Sequence, residues 1–309
     1  MSSPTKQPLW LAYSTEHGEV YCALAEQFLA SKVASKYRGK VQLLFTSPPF
    51  PLNRKKKYGN LRGSEYQEWL ATFAPSFRKM LAPGGSIVLE LGNAWEPGRP
   101  IMSTLALEAL LAFRAAAHLR LIQQFVAHNP ARLPSPAQWV NVERIRVKDS
   151  FTHLWWLAPS DRPYADNRSV LQAYSDSMKE LLRSRQYNSG KRPSGHKVGK
   201  KSFLRDNGGS IPSNVLNFSN TSSTDAYQEY CRQKDLKPHP ARMQTGVAEF
   251  FIKFLTRPGD LVFDPFAGSN TTGAMAEALG RNWISVEANK EYVRGSRGRF
   301  QDKMMRRAS

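Results

Sequence analysis

Apolar residues along this chain fall into short runs bounded by proline or glycine, alternating with stretches where they recur at helical spacing. Val41-Gln42-Leu43-Leu44-Phe45 is one such run, and it halts at Thr46-Ser47-Pro48-Pro49-Phe50. Neither proline has an N–H to give a ladder, so this reads as a central strand that ends abruptly. From Ser64 to Leu81, Tyr66, Trp69, Leu70, Phe73, Phe77, Met80 and Leu81 keep helical spacing as far as Pro83-Gly84-Gly85, predicting a helix packed on a sheet. Ser86 to Leu91 predicts the next strand, stopped by Gly92-Asn93, and is followed by a helix at Met102 to Ala117 and a strand at Leu119 to Ala127. Strands alternating with helices predict an α/β sheet with covering helices.

The pattern changes after His128. Pro130, Pro134, Pro136, Pro159 and Pro163 interrupt it, with one clear apolar strand at Phe151 to Leu157. Between Arg183 and Arg205 stand eight Lys and Arg residues and no acid, a composition shared by phosphate-contacting surfaces and by solvated linkers. Gly and Ser there, and in Asp206-Asn207-Gly208-Gly209-Ser210, predict loops more than helices. Order returns with an apolar helix at Val247 to Leu255 closed by Arg257-Pro258-Gly259. A strand at Leu261 to Asp264, a turn, a helix at Thr271 to Leu279 and a strand at Trp283 to Glu287 follow. Lys290 to Arg307 reads as a basic helix with a solvated face, while Trp10 to Leu29, aromatic and acidic before a short helix, has no legible role.

Composition sharpens the partner class. The chain has 309 residues, enough for one large α/β core, or for a core plus a smaller inserted module. Its 44 Lys and Arg against 25 Asp and Glu give a net charge of +19, which points to a polyanion. Cys22 and Cys231 stand far apart and without metal-type spacing, so neither a disulfide framework nor a metal site is expected, and a reducing cytoplasm fits. No signal-peptide pattern and no apolar run of membrane length is present, so no membrane partner is expected.

Two stretches carry candidate chemistry. Ser47 to Phe50 form a stiff lip, because each proline fixes its own φ and restricts the residue before it, holding the carbonyls of Ser47 and Pro48 outward to grip a flat substrate. The second is Asp264-Pro265-Phe266-Ala267-Gly268-Ser269-Asn270-Thr271, a glycine-bearing turn between strand and helix, with Glu287 ending the next strand 23 residues after Asp264. Such a turn lets a ligand approach backbone N–H groups, and a terminal carboxylate can accept both hydroxyls of a ribose. The turn lacks both G-x-G-x-x-G and Gly-Lys-Ser/Thr, so neither a dinucleotide nor a nucleoside triphosphate is well placed, and an acid at its head suits a cationic or zwitterionic nucleoside.

Thr46-Ser47-Pro48-Pro49-Phe50 resembles the catalytic motif IV of amino-methylating DNA methyltransferases, and Phe263 to Gly273 resembles their motif I. His239-Pro240-Ala241-Arg242 is similar to the start of motif X. Catalytic motif first, basic module next and cofactor motif last is the order of the beta group. The resemblance spans nearly the whole chain and is nearest to the N4-cytosine enzymes of restriction-modification systems. It includes Arg54-Lys55-Lys56-Lys57-Tyr58-Gly59-Asn60, Leu133-Pro134-Ser135-Pro136, Ile145-Arg146-Val147-Lys148-Asp149 and Arg192-Pro193-Ser194-Gly195-His196.

The resemblance implies a single mixed, mostly parallel methyltransferase sheet of the seven-stranded type, with helices on both faces and an inserted basic target-recognition region. The implied parts are a catalytic half at 1–150, the recognition region at 151–237 and a cofactor-binding half at 238–309. The implied reaction moves a methyl group from S-adenosyl-L-methionine to an exocyclic amine of an extruded base in duplex DNA. Ser47, Pro48, Pro49 and Phe50 would grip that base, with Glu90 a candidate to disperse the proton lost from the amine. Thr46, Phe263, Asp264, Phe266, Gly268, Ser269, Asn270, Thr271 and Glu287 would form the cofactor pocket. Asn270 replaces a glycine common among relatives, which allows the left-handed conformation at some cost but would add a side chain to the pocket. Arg54, Lys55, Lys56 and Lys57 would clamp phosphates, and Arg192, Ser194, His196, Lys197 and Arg242 complete the expected DNA contacts. Ser-Pro-Pro tends to accompany N4-cytosine, with N6-adenine the alternative; RNA methylation and DNA binding without catalysis are the rival classes. A homodimer is compatible with the resemblance, as is a cognate restriction endonuclease that shares the recognition sequence without binding this chain.

Overall fold

A computed structural model describes residues 9–50, 63–186, 189–191, 193–195, 197–199, 203–218 and 225–300. The chain divides into a large unit, residues 1–165 with 214–309, and a small one at Asp166–Ser213.

The large unit is built on strands β1 (Trp10–Ser14), β2 (Gly18–Cys22), β3 (Val41–Thr46), β4 (Leu81–Gly92), β5 (Arg120–His128) and β6 (Phe151–Ala158). The small unit contributes a separate hairpin of two-residue strands, β7 (Gly190–Lys191) and β8 (Lys197–Val198), and helix Asp176–Ser184, capped by the Ser175 side chain. Back in the large unit, β9 (Val215–Asn217), β10 (Leu261–Asp264) and β11 (Asn282–Glu287) complete a nine-stranded sheet in the order β1-β2-β11-β10-β3-β4-β6-β5-β9. The five central strands β2, β11, β10, β3 and β4 run parallel, so the sheet is mixed and mostly parallel, as expected. The additional strands lie at the edges, where β1 joins as an antiparallel hairpin on β2 and β9 lies parallel to β5.

Alternation along the strands sends side chains to two layers. Ile87, Leu89, Leu91, Trp155 and Leu157 face one cluster with Leu70, Phe73 and Phe77 of helix Gly63–Met80 and Leu110 and Phe113 of helix Leu105–Ala116. On the opposite face Phe45, Phe125 and Trp156 pack against Phe250, Phe251 and Phe254 of helix Thr245–Leu255.

Three expectations are corrected. Pro83-Gly84-Gly85 is no free turn; it lies within β4, whose register against β3 shifts there, and a Cβ on Gly85 would meet the Val41 carbonyl at 2.7 Å. The strand at Phe151 belongs to the middle of the large sheet and not to an inserted region beginning at 151. The C-terminal basic helix is short, Lys290–Ser296, and Tyr292, Val293, Gly295 and Ser296 are buried in it because it packs beside β2 and β11. Among the described residues no helix is long and apolar enough to cross a membrane.

Candidate active site

Parallel strands bring their C-terminal ends to one edge, so Thr46, Glu90, Asp264 and Glu287 converge although they come from distant parts of the chain. Thr46 is fully buried and its hydroxyl donates to Asp264 Oδ1 at 2.7 Å. The same oxygen accepts the Phe266 N–H at 3.1 Å, which holds the turn after β10 in place. Burial pushes Asp264 up to about 6, against the lowering effect of the Thr46 hydroxyl.

Ser47 follows Thr46 directly, which sets it near Glu90, one residue beyond the Thr46–Leu89 pairing of β3 and β4. Glu90 Oε1 also accepts the Thr152 hydroxyl at 3.1 Å from β6. Burial pushes Glu90 up to about 7, with the Thr152 and Ser47 hydroxyls opposing and Asp264 adding to the rise. Pro48 is buried, Pro49 and Phe50 are half-buried, and Phe50 rests where a Cβ on Gly92 would sit 3.5 Å from its ring.

Glu287 closes β11 and takes two backbone donors, Gly268 N–H at 2.8 Å and Asn289 N–H at 2.7 Å. Burial pushes it up to about 7, and Asp264 contributes repulsion. Gly268 has φ +51, and a Cβ there would lie 3.1 Å from His239 Nε2, so glycine is required by both conformation and space. His239 is fixed by its own N–H to the Tyr227 hydroxyl at 2.7 Å and by an edge contact with Tyr292.

A family model for DNA methylases matches residues 41–297. The chain belongs to the DNA methylase family. It is 43% identical over 293 residues to the type II methyltransferase M.PvuII of Proteus hauseri, covering 94% of this chain and 86% of that protein. The solved PvuII DNA methyltransferase (cytosine-N4-specific) matches with a TM-score of 0.75 and 36% identity, over 96% of this chain and 89% of that one. The M1.HpyAVI–SAM complex, 18% identical, shares the fold with a TM-score of 0.52 over 92% and 98% of the two chains.

The methylase edge suits a cationic nucleoside. Three carboxyl groups face it, each raised by burial, and among the described residues no His, Cys, Asp and Glu cluster is arranged to hold a metal ion. The Gly268 turn leaves backbone room beside Glu287, whose oxygens keep lone pairs for hydroxyl donors. Phe266 packs against Trp69 and Phe73, giving this end an aromatic wall.

Not every expected pocket residue points there. Asn270 does adopt the left-handed conformation, φ 56 and ψ 43, but its side chain is 1% exposed and turned inward. Its Oδ1 accepts Gly273 N–H at 3.2 Å and the Ser285 hydroxyl at 2.6 Å, so it caps helix Thr271–Ala278 instead of adding bulk to a pocket. Phe263 is fully buried against Phe28 and is a core residue. Ser269 and Thr271 are buried and their hydroxyls lie 3.3 Å apart. Arg299 was not singled out from sequence, where it is one cation in a basic tail; it donates to Ser269 O at 2.6 Å and Ser269 Oγ at 3.2 Å.

Of the expected DNA contacts, Arg54, Lys55, Lys56, Lys57, Arg192 and His196 lie outside the described residues. Ser194 and Lys197 are exposed in the small unit. Arg242 is corrected: its guanidinium pairs with Asp225 at 2.8 Å with a side chain only 10% exposed, so it braces the segment before helix Ala226–Gln233 and is not open to a phosphate.

Proposed function

We propose that this methylase transfers a methyl group from S-adenosyl-L-methionine to the exocyclic N4 amine of cytosine in duplex DNA, with the target base extruded. The observation that carries the reading is the Thr46–Asp264 hydrogen bond, which joins the Ser-Pro-Pro-Phe lip to the carboxylate-headed turn at one edge. The cytosine-N4 specificity stated for the PvuII enzyme, with 43% identity to its Proteus hauseri counterpart, supports the choice of base.

Asp264 and Glu287 would hold the cofactor, Glu287 through the ribose and Asp264 beside the positively charged end. When bound, that cofactor supplies an electrophilic methyl group on a sulfonium. The chain must make a poor nucleophile competent, because the cytosine amine shares its lone pair with the ring. The Ser47 side chain and the Pro48 carbonyl accept the two amine hydrogens, which localises the lone pair on nitrogen. Phe50 offers a stacking surface, worth about 1–3 kcal/mol per base. The amine loses a proton as the new bond forms, and Ser47 passes it toward Glu90, whose position near neutrality suits it to accept. The inserted basic segment supplies recognition contacts, and a cognate endonuclease would read the same sequence independently.

Sequencing DNA from cells that express the protein, with detection of modified bases, tests this directly. N4-methylcytosine in a fixed sequence context is the expected result. N6-methyladenine would overturn the base, and tritium transfer to structured RNA but not to duplex DNA would overturn the substrate.

A further inference from the structure

The hairpin between β5 and β6 carries surface that the reaction leaves unused. His128 pairs with Phe151, and Thr152 with Gly92, two residues past Glu90, so residues 129–150 leave the sheet at the catalytic edge. Their base is anchored. Asn129 N–H meets Ser150 O at 2.8 Å, the Asn93 amide donates to Asp149 at 2.8 Å, and Arg146 donates twice to Pro100 O at 3.1 and 2.8 Å. Trp139 packs on Trp95 with ring centroids 5.5 Å apart.

Beyond these anchors the segment from Asn141 to Lys148 is exposed throughout, with apolar Val142, Ile145 and Val147 interleaved with Arg144, Arg146 and Lys148. Val147 is 86% and Val142 68% exposed. Arg144 holds φ 58, a conformation that glycine would occupy without the steric penalty of a Cβ. None of the three cations has a carboxylate partner among the described residues; Arg146 and Lys148 bond backbone carbonyls, which orients them without neutralising their charge. Alternating unneutralised cations and apolar side chains match a polyanion with a groove better than an apolar protein face.

We propose that the 129–150 hairpin is a duplex-DNA contact, with Arg144 and Lys148 on phosphates flanking the extruded base and Val142, Ile145 and Val147 entering the groove beside it. The proposal rests on the DNA methyltransferase reading. Phosphate contacts set register, and apolar wedges at a base step help offset the unstacking that extrusion demands.

Binding of a fluorescein-labelled duplex of random sequence, followed by anisotropy at several salt concentrations without cofactor, tests it. Arg144→Gly should keep or raise the melting temperature, yet weaken binding and reduce the salt slope by about one. The double variant Arg144→Gln, Lys148→Gln should reduce it by about two, with roughly a tenfold loss of affinity near physiological salt. Wild-type affinity and slope in both variants would overturn the proposal. As an independent check, Cys22 and Cys231 are buried, so a cysteine introduced by Val147→Cys can be labelled selectively with an azidophenacyl photo-cross-linker. It should cross-link to the duplex, whereas Leu121→Cys, at the opposite end of β5, should not. Equal cross-linking from the two positions, or none from Val147→Cys with DNA bound, refutes the contact. Equal affinity for an RNA duplex refutes the assignment to DNA. Binding with these sensitivities but no methyl transfer to any duplex would defeat the enzymatic reading and leave the hairpin contact standing.

Discussion

The Thr46 hydroxyl and the Asp264 carboxylate are joined at 2.7 Å across a sequence separation of 218 residues. This bond links the strand that ends in the Ser-Pro-Pro-Phe lip to the strand that opens the Asp264–Thr271 turn. Asp264 is 4% exposed, so a lost donor is not replaced by water. Thr46→Val removes the donor at nearly constant volume, and hydrogen bonds to charged groups are worth about 1.5–3 kcal/mol. S-adenosylmethionine affinity, measured by calorimetry, should fall about tenfold or more, and Thr46→Ser should retain most of it. Unchanged affinity in Thr46→Val would make the bond a bystander.

The role proposed for Glu90 separates chemistry from binding. A rate that needs ionised Glu90 rises with pH and levels off above about 7, the position to which burial pushes the group. Glu90→Gln should lower the single-turnover rate by about 100-fold or more and flatten that rise, while leaving cofactor affinity near wild type. A wild-type pH profile in the variant would remove Glu90 from the reaction.

The sheet and the positions of the two motifs were legible because each depends on local pattern: apolar runs stopped by proline or glycine, and an acid ending each of the strands Leu261–Asp264 and Asn282–Glu287. Long-range partners were not. Nothing in the spacing of Trp10 to Cys22 says that Gly18–Cys22 adds to the sheet beside β11, since that pairing is between strands more than 250 residues apart. Asn270 was legible as a left-handed residue but not as an inward cap, because Ser285 and Gly273, its partners, are identified only by the fold. Neither Arg242 nor Arg299 shows its partner in the sequence; Asp225 neutralises one and Ser269 orients the other.

Arg299 gives the turn after β10 a second support. It grips both the carbonyl and the hydroxyl of Ser269 and lies over the Tyr227 ring at 4.9 Å from its centroid. Arg299→Met keeps the aliphatic packing and leaves the Ser269 carbonyl without this donor, at a cost of about 1–3 kcal/mol in stability. Denaturant unfolding should show that loss, and cofactor affinity should fall with it. Arg299→Lys, which cannot fork across two acceptors, should recover only part. Full cofactor affinity in Arg299→Met would confine the residue to packing.

The three carboxyl groups at the edge make a joint prediction with a definite sign. Asp264 moves from 3.8 up to about 6, and Glu90 and Glu287 from 4.5 up to about 7. A carboxyl group with its folded value above its unfolded one holds its proton more tightly in the folded protein. Its contribution to stability is therefore present at low pH and is lost as pH rises through the folded value. From these groups alone, cofactor-free protein should lose stability between about pH 4 and pH 7 and change little above that. A cationic ligand reverses the balance, because a nearby positive charge favours the ionised carboxylates. Binding of S-adenosylmethionine at pH 6.5 should release protons, seen as a binding enthalpy that varies with the ionisation enthalpy of the buffer. S-adenosylhomocysteine, which lacks the sulfonium charge, should release fewer, and Glu287→Gln should reduce the release for both ligands. Proton uptake in the wild type would show that the pocket does not use Asp264 and Glu287 to receive the cofactor's charge.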